Sequence, residues 1–393
     1  MKKLKVLLWI LLLAVIMGGC YDNREIDETA YIIALGIDKD ESGGYVYTYQ
    51  FSAPSPEGGG GGEEEKESGS NTAVKNIVVL APDFYSAKNM TNNFLSKNTD
   101  MSHLKLIVFS QEVDSEILSA HSEFLLRERE IRPHTAVALA KSSAKEYLGK
   151  IKPELETNTA KYYELLALNS NNIYAPTKTL SDFVDELSGE AAASVLPLVR
   201  NGKSNDASQS EVKDASMWLA TDAVKLDSKQ PDLKGMAVFS EGVLSGTMDG
   251  DSGLLYNLLT GKIQHCTIAL KNPYSDTGSL PFSVSVPNSA RYSVEERKDF
   301  CKIAVSQALS VEYSGARLPD GFENYQELYS FAEKTFEEQF RLFFYDISRI
   351  KKADIMNIAA YFKKQFVTQR EWESKNWQKL YQNAEFDIDI YFI

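Results

Sequence analysis

The sequence predicts an α+β protein of two or three mixed α/β domains, with mixed sheets and helices packed on them. Three observations carry that reading. Between residues 76 and 145 short apolar runs alternate with helical periodicity, the rhythm of strand–helix–strand units that build a sheet covered by helices. The C-terminal half instead runs strands first and helices last. Finally, a polar, turn-rich stretch at 201–214 separates the two halves of a chain too long for a single core.

The elements follow in order. Tyr31 to Ile37 is apolar throughout and reads as a buried strand, and Asp38 to Gly44 is a turn cluster. Tyr45, Tyr47, Tyr49 and Phe51 alternate with Val46, Thr48 and Gln50, the pattern of a half-buried strand, so the pair forms a hairpin. Residues 54–70 hold five consecutive glycines followed by three glutamates. No Lys-Ser/Thr pair follows them and the carboxylates repel phosphate, so the stretch is expected to be a flexible, solvated loop. Strands are expected at Ile77–Leu80, Leu104–Phe109 and Thr135–Ala140. Helices are expected at Asp83–Leu95, with Phe94 on the apolar side, and from a Ser115 cap, burying Ile117, Leu118, His121, Phe124 and Leu125. Further helices follow from Ser142 or Ser143, at Thr159–Leu168 and at Leu180–Leu187.

Beyond the 201–214 linker, strands are expected at Met217–Leu226, Gly235–Ser240, Val243–Met248, Lys262–Leu270, Pro281–Val286 and Ile303–Tyr313, with a short helix at Ser252–Leu259. A long helix from Glu323 to about Arg349 carries Leu328, Phe331, Phe336, Phe340, Phe343, Phe344 and Ile347 on one stripe, the spacing of core packing. A second helix is expected at Asp354–Gln365, and Ala384–Ile393 closes the chain as a half-buried strand. The domain reading is therefore a leader at 1–19, an N-terminal α/β region at 20–200, the linker, a strand-rich middle region at 215–286 and a C-terminal α/β domain at 287–393.

The leader is a basic Met1–Lys5 followed by the 12-residue apolar run Val6–Met17 and then Gly18-Gly19-Cys20. Twelve residues are too short to span ~30 Å of hydrocarbon at ~1.5 Å per residue, so the segment reads as a secretory signal. With cysteine directly after two small residues it resembles a bacterial lipoprotein signal. That resemblance implies cleavage before Cys20, acylation of Cys20, and two or more acyl chains holding the protein on a membrane. Met17 stands where such signals usually carry leucine. Loss of residues 1–19 takes the formal charge from −13 to −16. So acidic a chain argues against nucleic acid and against broad contact with anionic lipid, which leaves the tether to hold it.

Residues suited to chemistry are sparse. Two turns, starting at Asp38 and Asp249, mimic calcium-loop openings, but the twelfth positions are Tyr49 and Thr260 rather than glutamate. The four histidines, His103, His121, His134 and His265, have no metal-ligand spacing, and no nucleophile elbow, dinucleotide fingerprint or Cys-x-x-Cys occurs. Cys266 and Cys301 could pair in an exported chain, but a large core needs no staple, which favours two free, buried thiols. The expectation is a non-enzymatic protein with no cofactor, no metal and no catalytic residues.

A run of fragments in order resembles the Ger(x)C lipoproteins, the C subunits of nutrient germinant receptors in bacterial spores. They are Cys20 with Asp22, Arg24-Glu25-Ile26, Leu35-Gly36-Ile37-Asp38-Lys39, His103 to Val108 after Ser102, and Phe124 to Arg127. Ala140 to Glu146, Val195-Leu196-Pro197, Gly235 to Phe239 and Lys352-Ala353-Asp354-Ile355 before Trp372 and Trp377 follow. Ser102 replaces a glycine, the glycine-rich stretch is unlike the family, and Met356-Asn357 stands where an aromatic and a glycine are expected. The resemblance implies a subunit anchored through Cys20 on the outer face of the spore inner membrane, beside two membrane-embedded partners of the A and B type. An alternative, a solute-binding lipoprotein of a membrane transporter, shares the anchor but ordinarily shows two lobes of repeated βαβ units.

Overall fold

The computed structural model describes residues 28–52, 74–200 and 232–393, apart from 152, 154, 155, 157, 169–171, 276, 277 and 299. The leader, Cys20, the 54–70 stretch, the 201–214 linker and the strand expected at Met217–Leu226 lie outside the described residues.

The first domain is one nine-stranded mixed sheet. Its strands are β1 (Thr29–Lys39), β2 (Tyr45–Ser52), β3 (Val74–Ala81), β4 (Asn98–Asp100), β5 (Leu106–Ser110), β6 (Ala136–Ala140), β7 (Ala193–Arg200), β8 (Asp232–Ser240) and β9 (Val243–Met248). The spatial order is β3-β2-β1-β5-β6-β7-β8-β9, with β4 beside the start of β1. The strands β1, β5, β6 and β7 run parallel, and antiparallel pairs close both flanks. Parallel crossovers put helices on both faces. On one face α1 (Phe84–Phe94), α2 (Ser115–Arg127) and α5 (Leu180–Leu187) bury Phe84, Leu118, Leu125 and Phe183. On the other, α3 (Ala144–Lys150) and α4 (Thr159–Ala167) bury Tyr147, Leu148 and Tyr163.

Three expectations for this domain are corrected. The hairpin strand β2 is buried on both faces, not one. Tyr47 and Tyr49 pack beneath α1 and α2, while Gln50, fully buried on the opposite face, donates to Leu148 O (3.1 Å) and Asn76 Oδ1 (2.9 Å) and accepts from the Tyr163 hydroxyl. Ser115 is not the cap of α2. Asp114 holds that position and its carboxylate pairs with Lys39 (2.8 Å), while Ser115 Oγ accepts from Leu244 N (3.0 Å). Phe94 leaves the core altogether and is 75% exposed, on the side of α1 that carries the exposed Met90 rather than the buried Phe84, Ala87 and Thr91.

The second domain is a five-stranded sheet of β10 (His265–Lys271), β11 (Ser279–Ser285), β12 (Arg291–Glu296), β13 (Cys301–Tyr313) and β14 (Glu385–Phe392). Its order is β10-β11-β13-β12, and β14 pairs in parallel with β13 from Lys302↔Glu385 to Leu309↔Phe392. Helix α7 (Tyr325–Tyr345) runs into a π-helical turn, Asp346–Ile350, and lays its expected apolar stripe on the sheet, with Phe336 against Phe392 and Phe344 stacked on Phe386. Three short helices follow: α8 (Ala359–Lys363), α9 (Gln369–Glu373) and α10 (Trp377–Gln382). The helix expected at 354–365 is thus shortened to α8. Lys352 and Asn357 take positive φ, 53° and 54°, which breaks helical continuity around Asp354. Strands β4, β7 and β12 are additions to the sequence reading.

The 215–286 region is not a unit of its own among the described residues. β8 and β9 complete the first sheet, α6 (Gly250–Thr260) bridges, and β10 and β11 belong to the second. Residues 201–214 therefore lie between two paired strands of one sheet, β7 and β8. The core runs across this joint: Val195, Met236, Val238 and Met248 of the first sheet share one cluster with Leu254 to Leu259 of α6 and with Phe282 and Phe340. Gly235 marks how tightly the bridge packs. Its φ is +85°, and a Cβ there would sit 2.5 Å from Met248 O.

Candidate functional site

Cys20, the one site residue the sequence singles out, lies outside the described residues. The described residues hold no group of three His, Cys, Asp or Glu side chains able to bind a metal. His121 is a packed core histidine: Nδ1 meets Ile117 O (2.9 Å), Nε2 meets the Tyr47 hydroxyl (3.0 Å), and burial pushes its pKa down, so the ring is neutral. His103 packs on Tyr31 at 4.4 Å, and His265 meets Ser285 Oγ at 3.1 Å. Cys266 and Cys301 are free and buried, and burial raises their thiols to about 11 and about 12, far from a reactive thiolate. A groove of about 160 Å³ between α2 and α5, lined by Ser119, Glu123, Val184, Leu187 and Gly242, is smaller than ordinary ligand pockets.

Organised polar geometry concentrates instead at the joint between the domains. Lys178, just before α5, is almost wholly buried and pairs with Glu186, whose carboxylate also accepts from Ser194 Oγ (2.5 Å). Burial pulls the Lys178 pKa down, but Tyr256 of α6, 5.6 Å beneath its ammonium, and the Glu186 carboxylate outweigh it, so the lysine stays charged. From the second domain, Trp372 Nε1 donates to Glu190 (2.6 Å), and Lys363 pairs with the same carboxylate. Ser240 at the end of β8 donates to Lys352 O (3.1 Å) and accepts from Gln378 Nε2 (2.9 Å).

Behind this seam sits Asp354, fully buried. Its carboxylate accepts from Ile358 N (2.9 Å), Ala359 N (2.7 Å) and Trp377 Nε1 (3.1 Å). Burial raises its pKa to about 6, with those three donors pulling the other way. Trp377, Trp372 and Phe362 form a ring cluster around it, with centroids 5.5 to 6.3 Å apart. Such a set holds two bodies in one arrangement.

Two features thus describe the chain: a two-domain α+β build and a polar seam between the domains. Residues 22–201 match a family model described as "Spore germination protein N-terminal domain", and residues 234–392 match one described as "Spore germination B3/ GerAC like, C-terminal". The chain therefore belongs to the Ger(x)C family of spore germination proteins. It is 21% identical over 285 residues to "Spore germination protein KC" of Bacillus subtilis (strain 168), an alignment spanning 68% of this chain and 64% of that relative. In fold it is similar to the solved GerBC protein, with a TM-score of 0.51 at 14% identity, covering 91% of this chain and 96% of that one.

The family-like fragments fall on joints of the fold. Gly36 lets β1 pass under α3, where a Cβ would meet Leu148 at 3.1 Å and Ala144 at 3.3 Å. Asp38, two residues on, accepts from Ala144 N (2.6 Å) and Lys145 N (2.9 Å). Two fragments about a hundred residues apart thus meet. Asp354 and Trp377 meet likewise. Glu190 and the Lys178–Glu186–Ser194 set escaped the sequence reading, because nothing in a local pattern marks a carboxylate that meets a tryptophan 182 residues away.

Proposed function

We propose that this chain is the lipid-anchored, non-catalytic C-type subunit of a nutrient germinant receptor, needed to trigger spore germination in response to nutrients. It sits on the outer face of the spore inner membrane, held by acyl chains on Cys20, beside the membrane-embedded A and B subunits. The observation that carries the reading is the match of two spore-germination domains, in order, across nearly the whole chain. The leader ahead of Cys20 supports the anchor, and among the described residues no helix is long and apolar enough to cross a membrane. The two unlike sheets lend no support to a solute-binding protein built from two repeated lobes.

Replacing Cys20 tests the anchor. Cys20→Ala leaves the precursor uncut or frees the protein from the membrane fraction, and mass spectrometry of the wild-type N-terminus finds Cys20 carrying lipid. A mature chain that starts elsewhere, with no lipid mass, overturns the proposal.

A further inference from the structure

Three parallel strands, β1, β5 and β6, begin at one end of the first sheet, and the described chain enters there. Thr29 pairs with Asn98 and Ala30 with Thr99, Lys105 N donates to Ile33 O, and Ala136 N donates to Lys105 O. Helix α1 ends on the same rim, since Asn92 Oδ1 accepts from Thr99 N (3.0 Å) and Thr99 Oγ1 (2.8 Å). The loop 128–134 is bound in by Glu130, which accepts from Lys88 Nζ (2.9 Å) and Met101 N (3.3 Å).

Two features of this rim stand together. Phe94 is 75% exposed, and Met90, one turn earlier on the same helix face, is 58% exposed. Lys75, Lys97, Arg129 and Arg132 are also exposed here and form no ion pair with a described residue. Glu28 is an exposed acid among them, in a chain of formal net charge −13. An exposed aromatic and a methionine on the same rim as lysine and arginine suit the interface of an anionic bilayer, where the apolar groups insert and the cations meet headgroups.

Chain length places the rim beside the tether. Cys20 stands eight residues before Glu28, a reach of at most ~30 Å at ~3.5 Å per residue. The turn after Lys39 lies at the far end of β1, a further ~35 Å away at ~3.3 Å per strand residue.

The geometry points to a membrane-docking face: Met90, Phe94 and the cations Lys75, Lys97, Arg129 and Arg132 lie on an anionic lipid surface and fix how both domains stand above it. The net charge, which argues against broad contact with such lipid, leaves this one rim as the place for local contact. The assignment of lipid as the occupant rests on the anchor proposed above, and the test separates the two.

The chain from residue 20 with Cys20→Ser, which carries no acyl group, is sedimented with phosphatidylglycerol–phosphatidylcholine vesicles. Binding is expected, reduced at least tenfold in Arg129→Glu/Arg132→Glu, since each cation near such a surface contributes about fivefold. Phe94→Glu is expected to bind less as well, with every variant's circular dichroism unchanged. Equal binding by all variants, or none at low salt, overturns the face. The lipidated chain on the same vesicles then carries an environment-sensitive dye at Asn93→Cys or at Ser42→Cys. Blue-shifted emission, quenched by spin-labelled lipid at position 93 alone, is the expected result. Both dyes in water while mass spectrometry finds lipid on Cys20 means that the anchor stands and the face fails. A bare Cys20 with vesicle binding still sensitive to Arg129 and Phe94 means the reverse. Shielding of position 93 only when polytopic subunits are added gives the face to a protein and refutes the lipid assignment.

Discussion

Each domain seats a helix on a buried aspartate, yet Asp38 and Asp354 reach their helices by different routes. Asp38 lies near the end of β1 and accepts from the first N–H groups of α3, 106 residues later. Asp354 accepts from N–H groups only four and five residues ahead, and adds Trp377 from a separate helix. Both pKa values are raised by burial, that of Asp354 to about 6. In the first domain the aspartate closes a long-range contact between sheet and helix layer. In the second it organises one irregular turn, on which the aromatic cluster and the seam with Ser240 are built. The first domain thus draws its coherence from a wide sheet covered on both faces. The second depends on a few crowded points.

The contrast is broken most severely by removing β14. Its Phe386, Ile388, Ile390 and Phe392 face α7 and alternate with outward Asp387, Asp389 and Tyr391, as the sequence pattern requires. Burial of four such side chains stabilises by ~6–12 kcal/mol as an upper bound, comparable with a domain's whole stability. Truncation after Asn383 is therefore expected to abolish the second domain's unfolding transition and leave hydrogen-exchange protection in β1, β5 and β6. Loss of protection in both domains alike would show that the shared core at α6 makes them one folding unit.

Substitution of the two aspartates comes next. Asp354→Asn leaves at least one of three buried donors unpaired and is expected to cost ~3–5 kcal/mol in the second domain. Asp38→Asn, at a site 6% exposed, is expected to cost ~1–3 kcal/mol in the first. Denaturant unfolding followed by tryptophan fluorescence reads the Asp354 effect, because Trp372 and Trp377 lie in that cluster. Equal costs for the two substitutions would remove the distinction.

A pH titration sharpens the comparison further. The folded Asp354 holds its proton up to about 6, whereas the unfolded carboxyl releases it near its ordinary value of 3.8. The native state therefore binds more protons between those values, and stability falls as pH rises from about 4 to about 6, by ~3 kcal/mol in order of magnitude. Asp354→Asn is expected to flatten that slope in the second domain's melting temperature. The smallest effect belongs to the glycine- and glutamate-rich stretch: deleting Gly58–Glu67 is expected to change stability by no more than ~1 kcal/mol. A fall in melting temperature above about 10 °C would show that it packs.

Elements with strong periodicity were legible in the sequence. The hairpin, the strand–helix alternation, the aromatic stripe of α7 and β14 all stand where their patterns put them. Local pattern failed where tertiary cover decided the outcome. The alternation in β2 reads as one exposed face, but α3 and α4 lie over Thr48 and Gln50. Phe94 keeps helical register yet stands in solvent beside Met90. The extent of the first sheet was hidden because β7 and β8 pair across 31 intervening residues, the first fourteen of which read as a linker between domains. Of the site, Cys20, singled out by its leader, lies outside the described residues. The seam of Lys178, Glu186, Glu190 and Trp372 was not, since its partners come together only when both sheets have formed.

The central claim is that this chain works as a subunit of a membrane receptor. The most direct measurement is mild-detergent extraction of spore inner membranes, with the chain captured through a C-terminal tag and its partners identified by mass spectrometry. The account predicts two polytopic membrane proteins of the A and B type at near-equal abundance with the chain, lost when the first domain is deleted or when β14 is removed. Capture of the intact lipidated chain alone, or with the membrane components of a transporter, would contradict it.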